Sequence, residues 1–251
     1  MKEVRQRELL DYLTIHKEAE ITELEKHFNV SAMTIRRDLA QIEKTGSIMR
    51  VSGGAILVEP RGIEPSYLRR MDWNTQEKKR IAELACGLVQ SGDVIFLDVG
   101  STCIACARRL KNLDVTVVTN AYACVCELAN GNNCDIIVLG GDFEKKELVC
   151  TGIRTYQEIE DYFFTRALIA VGGIDEEGLY DYNLRTIQIR RKVIGCAREV
   201  IVLADHTKFS RKPPIKIQGL DAVDKLVIAD IDKVDSAVIQ KITEQGIEII
   251  C

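Results

Sequence analysis

The chain carries no surplus of positive charge: its formal net charge is −4 over 251 residues. That excludes a protein held to nucleic acid by bulk attraction, and any DNA contact must come from a local basic face. There is no signal-peptide pattern and no apolar run long enough to cross a bilayer, so a cytoplasmic protein with no membrane partner is expected. Four prolines and no low-complexity stretch or internal repeat leave no room for a long disordered tract. The nine cysteines are an odd number without framework spacings, which points to free thiols in a reducing compartment. Cys103-Ile104-Ala105-Cys106 is a lone C-x-x-C at a helix start, and His16, His27 and His206 are dispersed. A zinc site needs two more ligands, so no metal, cofactor or catalytic group is assigned. Buried thiols are the expectation, with a redox role for Cys103 and Cys106 as the alternative.

What is present is patterned. Residues 1–58 balance nine Lys/Arg against nine Asp/Glu, but residues 31–58 alone sum to +2. A first helix is predicted over residues 3–15, with Val4, Leu9, Leu10 and Leu13 as its apolar positions. Ile21, Leu24 and Phe28 mark a second helix capped by Thr22, and Ser31 caps a third that Gly46 stops. Ile48–Val51 and Ala55–Val58 flank Ser52-Gly53-Gly54 as a hairpin. Three helices and a hairpin make a winged helix-turn-helix, residues 1–58, followed by a Pro/Gly-bearing linker, residues 59–72.

The third helix carries the DNA-reading pattern. Stepping 100° per residue, Ile35, Leu39 and Ile42 share an inward face. Met33, Arg37, Gln41 and Lys44 point the opposite way, with Thr34 and Arg36 on the flanks and Ser31 at the start. Arginine reads guanine edges, glutamine reads adenine and lysine holds phosphate, while Arg50 on the hairpin is placed for an adjacent phosphate or the minor groove. Residues 5–58 resemble the N-terminal domain of the DeoR family of sugar-metabolism repressors, through Thr34-Ile35-Arg36-Arg37-Asp38-Leu39, Arg50 and Gly53-Gly54-Ala55. The family often has His before the Gly-Gly; here it is Ser52.

Residues 73–251 read as an α/β domain. Short Val/Ile-rich runs at Val94–Val99, Val115–Val118, Ile136–Leu139, Ala167–Val171, Val200–Ala204, Leu226–Ala229 and Ile247–Ile250 alternate with helical patterns. Such runs predict strands covered on both faces in a mostly parallel sheet. Polar or glycine turns follow five of them: Gly100-Ser101-Thr102, Thr119-Asn120, Gly140-Gly141, Gly172-Gly173-Ile174-Asp175 and Asp205-His206-Thr207-Lys208. Ligands bind at the carboxyl ends of such strands, and a helix start offers amides to a phosphate.

This half resembles the DeoR C-terminal sensor domain, on Asp98-Val99-Gly100-Ser101-Thr102, Val118-Thr119-Asn120, Leu139-Gly140-Gly141, Gly173-Ile174-Asp175 and Ala204-Asp205 with Lys208. The resemblance implies a fold like ribose-5-phosphate isomerase and coenzyme A transferases. It implies phosphate contacts from Ser101 and Thr102, and further effector contacts from Gly100, Thr119, Asn120, Gly140, Gly141, Asp175, Asp205 and Lys208. One stretch departs: at Asn183–Arg190 the acids usual in the family are missing and Arg190 stands where Lys is usual. The expected protein is a repressor of a carbohydrate-use operon, with operator DNA and a phosphorylated sugar as partners and a homodimer or homotetramer as its assembly. The residues leave open a sugar-phosphate isomerase with a DNA-binding appendage, and an activator.

Overall fold

The computed structural model describes residues 2–16, 18–44, 47–57, 70–71, 73–209 and 211–251. The chain divides into two compact units, Met1–Ile63 and Glu64–Cys251. Among the described residues, no helix is long and apolar enough to cross a membrane.

The first unit runs α1 (Lys2–His16), β1 (Glu18–Glu20), α2 (Ile21–Phe28), α3 (Ala32–Glu43), β2 (Ile48–Val51) and β3 (Gly54–Leu57). Leu9 and Leu13 of α1, Leu24 of α2, and Ile35 and Leu39 of α3 are fully buried and form its core. Val4 is not part of that seam; it is 59% exposed. The start of α1 is held instead by polar contacts, from Arg5 and Gln6 to the buried Asp38 of α3.

Three local expectations change. The wing has three strands, in the order β1-β3-β2, because Glu18–Glu20 pairs antiparallel with β3. A three-residue Glu-Ala-Glu segment carries no strand signal of its own. Thr22 is not the cap of α2: the helix starts at Ile21, whose N–H donates to the Gly53 carbonyl at 2.7 Å. The wing tip thus satisfies one of the amides that a helix start leaves without an internal partner. That contact needs glycine, since Gly53 has φ +89° and a Cβ on Gly54 would strike the Ala19 backbone. Helix α3 ends at Glu43 with Lys44 as its cap. The expected stop, Gly46, and the end of the hairpin, Val58, lie outside the described residues.

The second unit is built on seven strands: β4 (Val94–Leu97), β5 (Val115–Thr119), β6 (Cys134–Val138), β9 (Arg166–Ala170), β12 (Val200–Leu203), β14 (Lys225–Val227) and β15 (Glu248–Ile250). They lie in the order β15-β14-β12-β9-β4-β5-β6, and every pairing is parallel. Helices α4 (Thr75–Gly87), α5 (Ser101–Leu110), α6 (Tyr122–Leu128), α7 (Ile153–Glu158), α8 (Leu184–Gly195) and α9 (Ser236–Glu244) connect and cover them. Successive side chains alternate across β4. Ile95 and Leu97 enter one core with Ile81 and Ile104, while Phe96 enters the other with Phe164 and Ile187. The edge strands β6 and β15 are less covered: each has one neighbour only, and Val138 of β6 is 47% exposed.

Five short strands were not expected. Strands β7 (Asp142–Glu144) and β8 (Val149–Thr151) form a hairpin, and β10 (Gly173–Asp175), β11 (Gly178–Asp181) and β13 (Ile215–Gln218) form a small antiparallel sheet. At three or four residues each, they are too short to show a period. Most of the expected linker, residues 59–72, lies outside the described residues. Its described end belongs to the second unit: Met71 packs on the core and Arg70 pairs with Glu147.

The strand order has one consequence for function. From β4 the chain builds outward through β5 and β6, then returns to the far side of β4 to lay down β9. The crevice at the carboxyl ends of β4 and β9 is therefore a topological switch point, where open parallel sheets hold ligands.

Candidate DNA interface and effector site

Ser31 caps α3. It has extended backbone, φ −67° and ψ 154°, and its hydroxyl accepts from the Thr34 N–H at 3.4 Å. The facing of α3 is as the 100° step requires: Ile35, Leu39 and Ile42 are buried, and Met33, Arg36, Arg37, Gln41 and Lys44 are exposed. Met33 is 74% exposed, an apolar side chain standing among the polar ones. Arg50 is exposed and also bonded within the unit. Its backbone N–H and Nε donate to the two carboxylate oxygens of Glu43, at 2.9 and 2.8 Å. It ties the wing to the end of α3. His16 and His27 are not dispersed either; both rings lie against Tyr12, at centroid distances of 4.1 and 4.4 Å.

In the second unit, the turns after β6, β5, β4, β9 and β12 lie side by side along one edge, because those strands are consecutive in the sheet and parallel. Gly100 caps α5 with φ +143°, and the first helical bond runs from Ile104 N–H to its carbonyl at 3.1 Å. The amides of Ser101, Thr102 and Cys103 therefore have no partner within the helix. Ser101 is half-buried and Thr102 buried.

Beneath that turn lies a buried ionic group. Asp98 ends β4 and accepts from Arg190 Nε at 2.6 Å and from the Ala170 N–H at 3.1 Å. Arg190 also pairs with Asp181 at the end of β11, and all three side chains are at least nine-tenths buried. Burial pushes the Asp98 carboxyl up, while the Arg190 guanidinium and two amides pull it down. Arg190 thus joins β4, β11 and α8 behind the switch point. Asp98 and Asp181 supply acids from other strands beside a helix that lacks them. A charged residue closing the apolar run Val94–Leu97 was the visible signal for Asp98; Asp181 had none.

Not every expected contact is free. The Thr119 hydroxyl donates to the Leu97 carbonyl at 2.7 Å and accepts from the Ala121 N–H at 3.1 Å. Asp175 is occupied by its own turn, accepting from the Glu177 and Gly178 amides, and by Lys212 at 2.9 Å. Gly141 is pressed against Thr151 and Thr155, and the Gly140 carbonyl accepts from the Thr155 hydroxyl. Asn120 differs. Its amide nitrogen donates to the Cys150 carbonyl at 2.7 Å, but its oxygen is buried with no partner. A buried acceptor left unmatched by protein is one that a water or a ligand donor can meet.

At the end of β12, Asp205 is buried and accepts from the Thr207 N–H at 2.9 Å. Burial raises its carboxyl, but Lys208, Thr207 and Lys78 outweigh that and hold it below the usual range. Next to it, Glu77 of α4 accepts from the His206 N–H and meets His206 Nδ1, both at 2.7 Å. Glu77, His206 and Asp230 bring three metal-capable atoms within 4.8 Å of one another, a cluster the sequence did not announce. Lys233 pairs with Asp230 there, so a protein ammonium already meets that carboxylate. Cys103, Cys106 and Cys124 are fully buried, and their thiols are all raised, by burial and neighbouring thiols or carboxylates. The thiolate is the reactive form, so a raised pKa opposes the redox alternative.

Two family profiles match the chain. The DeoR-like helix-turn-helix domain covers residues 5–61, and the DeoR C-terminal sensor domain covers residues 73–230. The HTH-type transcriptional repressor GlcR of Bacillus subtilis (strain 168) is 33% identical over 219 residues, 87% of this chain and 85% of that protein. The glycerol-3-phosphate regulon repressor of Escherichia coli (strain K12) is 30% identical over 204 residues, 80% of this chain and 81% of that protein. Among solved structures, ribose 5-phosphate isomerase A from Methanocaldococcus jannaschii overlaps 54% of this chain and 55% of its own, with TM-score 0.40 and 23% identity.

Proposed function

This chain belongs to the DeoR family of DNA-binding transcriptional repressors, and we propose that it silences a carbohydrate-use operon until a phosphorylated sugar, held at the switch point of the second unit, releases it from its operator. The relatives are named as regulators and repressors rather than enzymes, which answers the isomerase and activator alternatives. The observation that carries the effector reading is the set of open polar groups gathered at the switch point. The open amides of α5, the half-buried Ser101 and the unpartnered Asn120 oxygen stand in the turns after β4 and β5, beside the switch point where open parallel sheets hold ligands.

In this reading Arg37 and Gln41 read base edges, with Met33 and Arg36 beside them. Ser31, Thr34, Lys44 and Arg50 hold backbone phosphates. The protein acts in the cytoplasm as a homodimer or homotetramer, since helix-turn-helix proteins read paired half-sites. The phosphate sits on the amides of Ser101 and Thr102 with Gly100 allowing its approach. Asn120, Asp205 and Lys208 take the sugar side, and Arg190 supports the floor. The effector must bind the operator-free state more tightly than the operator-bound one, and a coupling of ~1–3 kcal/mol is enough to shift occupancy several-fold or more.

The test pairs two measurements on the full chain: thermal stabilisation by a panel of sugar and polyol phosphates, and their effect on operator binding. At least one phosphate should stabilise the protein and weaken operator binding. Ser101→Ala should bind operator normally and respond poorly. A Ser101→Ala variant with an unaltered effector response overturns the placement of the phosphate.

A further inference from the structure

We propose that Lys78 is an anion-contacting residue of the effector site, and that it carries ligand binding to Arg70, the first described residue beyond Leu57. This rests on the phosphate reading above. Lys78 lies in the run Glu77-Lys78-Lys79-Arg80 in the first turns of α4, which looks in sequence like a solvated charged face. The structure splits that run. Lys79 and Arg80 are exposed, while Glu77 and Lys78 are more than nine-tenths buried. A lysine is almost never buried so deeply without a partner for its charge.

The partners lie in two directions. Lys78 Nζ donates to the Arg70 carbonyl at 2.6 Å. On the other side, Glu77 clamps the start of α4 to the loop after β12 through its two 2.7 Å contacts with His206. That clamp sets Lys78 beside Asp205, which it shares with Lys208. An ammonium has three donors, and a backbone carbonyl takes one. In this inference the phosphate held on the Ser101 and Thr102 amides, at the same strand edge as Asp205 and Lys208, takes the other two. Burial, with Lys208 and Arg70 adding to it, pushes the Lys78 ammonium down to about 8 against the pull of Asp205 and Glu77. An arriving anion adds to the negative charge beside the ammonium and fixes its proton.

The Arg70 end makes the contact more than a local one. Arg70 is held three ways: its carbonyl accepts from Lys78 Nζ and from the Trp73 N–H at 3.3 Å, and its guanidinium pairs with Glu147. Residues 58–69 lead from it to the DNA-binding unit. A ligand that redirects Lys78 changes one of the three holds on Arg70, so occupancy is felt where the chain leaves the sensor.

The experiment uses the full chain with sn-glycerol 3-phosphate and glucose 6-phosphate as probes. Stabilisation is followed from about pH 7.5 to about pH 9.5, where a phosphate monoester is already the dianion. In the wild type, stabilisation by the probe that binds should fall as pH rises past about 8. Lys78→Met should lose about tenfold or more in probe affinity. Lys78→Arg should retain binding with that pH dependence removed, because a guanidinium does not titrate in this range. Lys79→Met, the same charge change one residue away on the exposed face, should leave probe binding unaltered. Amide hydrogen exchange over residues 70–74 should change on adding the probe to the wild type and not to Lys78→Met. If Lys78→Met does not fold, the pH profile of Lys78→Arg decides. Wild-type affinity in Lys78→Met, or one pH profile for wild type and Lys78→Arg, overturns the role of Lys78 and leaves the phosphate reading standing. A wild type stabilised by neither probe overturns this inference and counts against the phosphate reading. Exchange over residues 70–74 that ignores a bound probe overturns the link to Arg70.

Discussion

The two functional surfaces are built on opposite plans. The DNA-reading face of α3 is an exposed row of Met33, Arg36, Arg37, Gln41 and Lys44, carried by three buried apolar anchors. The proposed effector site stands on a buried ionic scaffold in which Asp98 and Asp181 are both bonded to Arg190. A reader of DNA meets a charged partner in water, so its side chains stay hydrated until contact. A sensor must convert ligand binding into a change of protein state, so its polar groups are wired into the fold. Substitutions should therefore separate function from stability in the first unit and mix them in the second.

The largest effect should come from Arg190→Met. It strands two buried carboxylates, and removing one partner of a buried ion pair typically costs ~3–5 kcal/mol. Urea unfolding should show that loss in the second unit. Adding Asp98→Asn should recover part of it, because the two sites share one network. A loss below about 1 kcal/mol would mean that the ionic group does not hold the fold together. The next effect tests the other side of the contrast. Asp38 is a buried acid within the DNA-binding unit, bonded to Arg5 and Gln6. Asp38→Ala should cost ~1–3 kcal/mol, less than Arg190→Met, because its partners are neutral or partly exposed and regain water. Operator affinity should fall only as the folded fraction falls.

The two plans also differ in how much of them a sequence displays. The exposed face follows from one rule, the 100° step, and from Ser31, a cap whose geometry is local. Strand positions in the sheet were legible to within two residues because each apolar run is continuous. Paired polar groups are invisible to periodicity. Nothing in Asp181, or in Lys78 within a charged run, announces its partner, since Arg190 and Asp205 sit in other elements. The same holds for Arg50, whose ion pair with Glu43 joins a strand to a helix, and for β1, which exists because β3 offers it an edge. Thr119 and Asp175 sit in the turns where a ligand was expected, but internal acceptors and donors occupy them. What makes a turn polar and what leaves its atoms free are separate questions, and only the first has a local answer.

Arg37→Ala sharpens the contrast from the exposed side. If Arg37 reads a base, operator affinity should drop by ~1–3 kcal/mol and discrimination at one base position should relax. Stability should stay within about 0.5 kcal/mol of wild type, because an exposed side chain leaves no cavity and strands no charge. Fluorescence anisotropy against operator and single-base variants gives the first quantity, and thermal unfolding the second. Unchanged affinity would take Arg37 out of the reading set.

The smallest effect should lie where the sensor scaffold meets solvent. His206 is half-buried against Glu77, and its hydrogen bond to that carboxylate raises its pKa above the ordinary 6.5, with Asp205 assisting and burial and Lys233 opposing. A raised folded-state value means that the protonated pair stabilises the fold. That contribution is fully present below pH 6.5, the value for the unfolded chain, and is lost as pH rises through the higher folded value. His206→Gln should therefore cost most at mildly acid pH and progressively less toward alkaline pH. Thermal unfolding of wild type and variant across that interval measures the difference. A gap that stays constant or widens with pH would show that His206 serves through its neutral ring and that the clamp on Glu77 is not ionic. A closing gap would mark the rim of the sensor as ionic like its floor, tuned by proton activity where the floor is not.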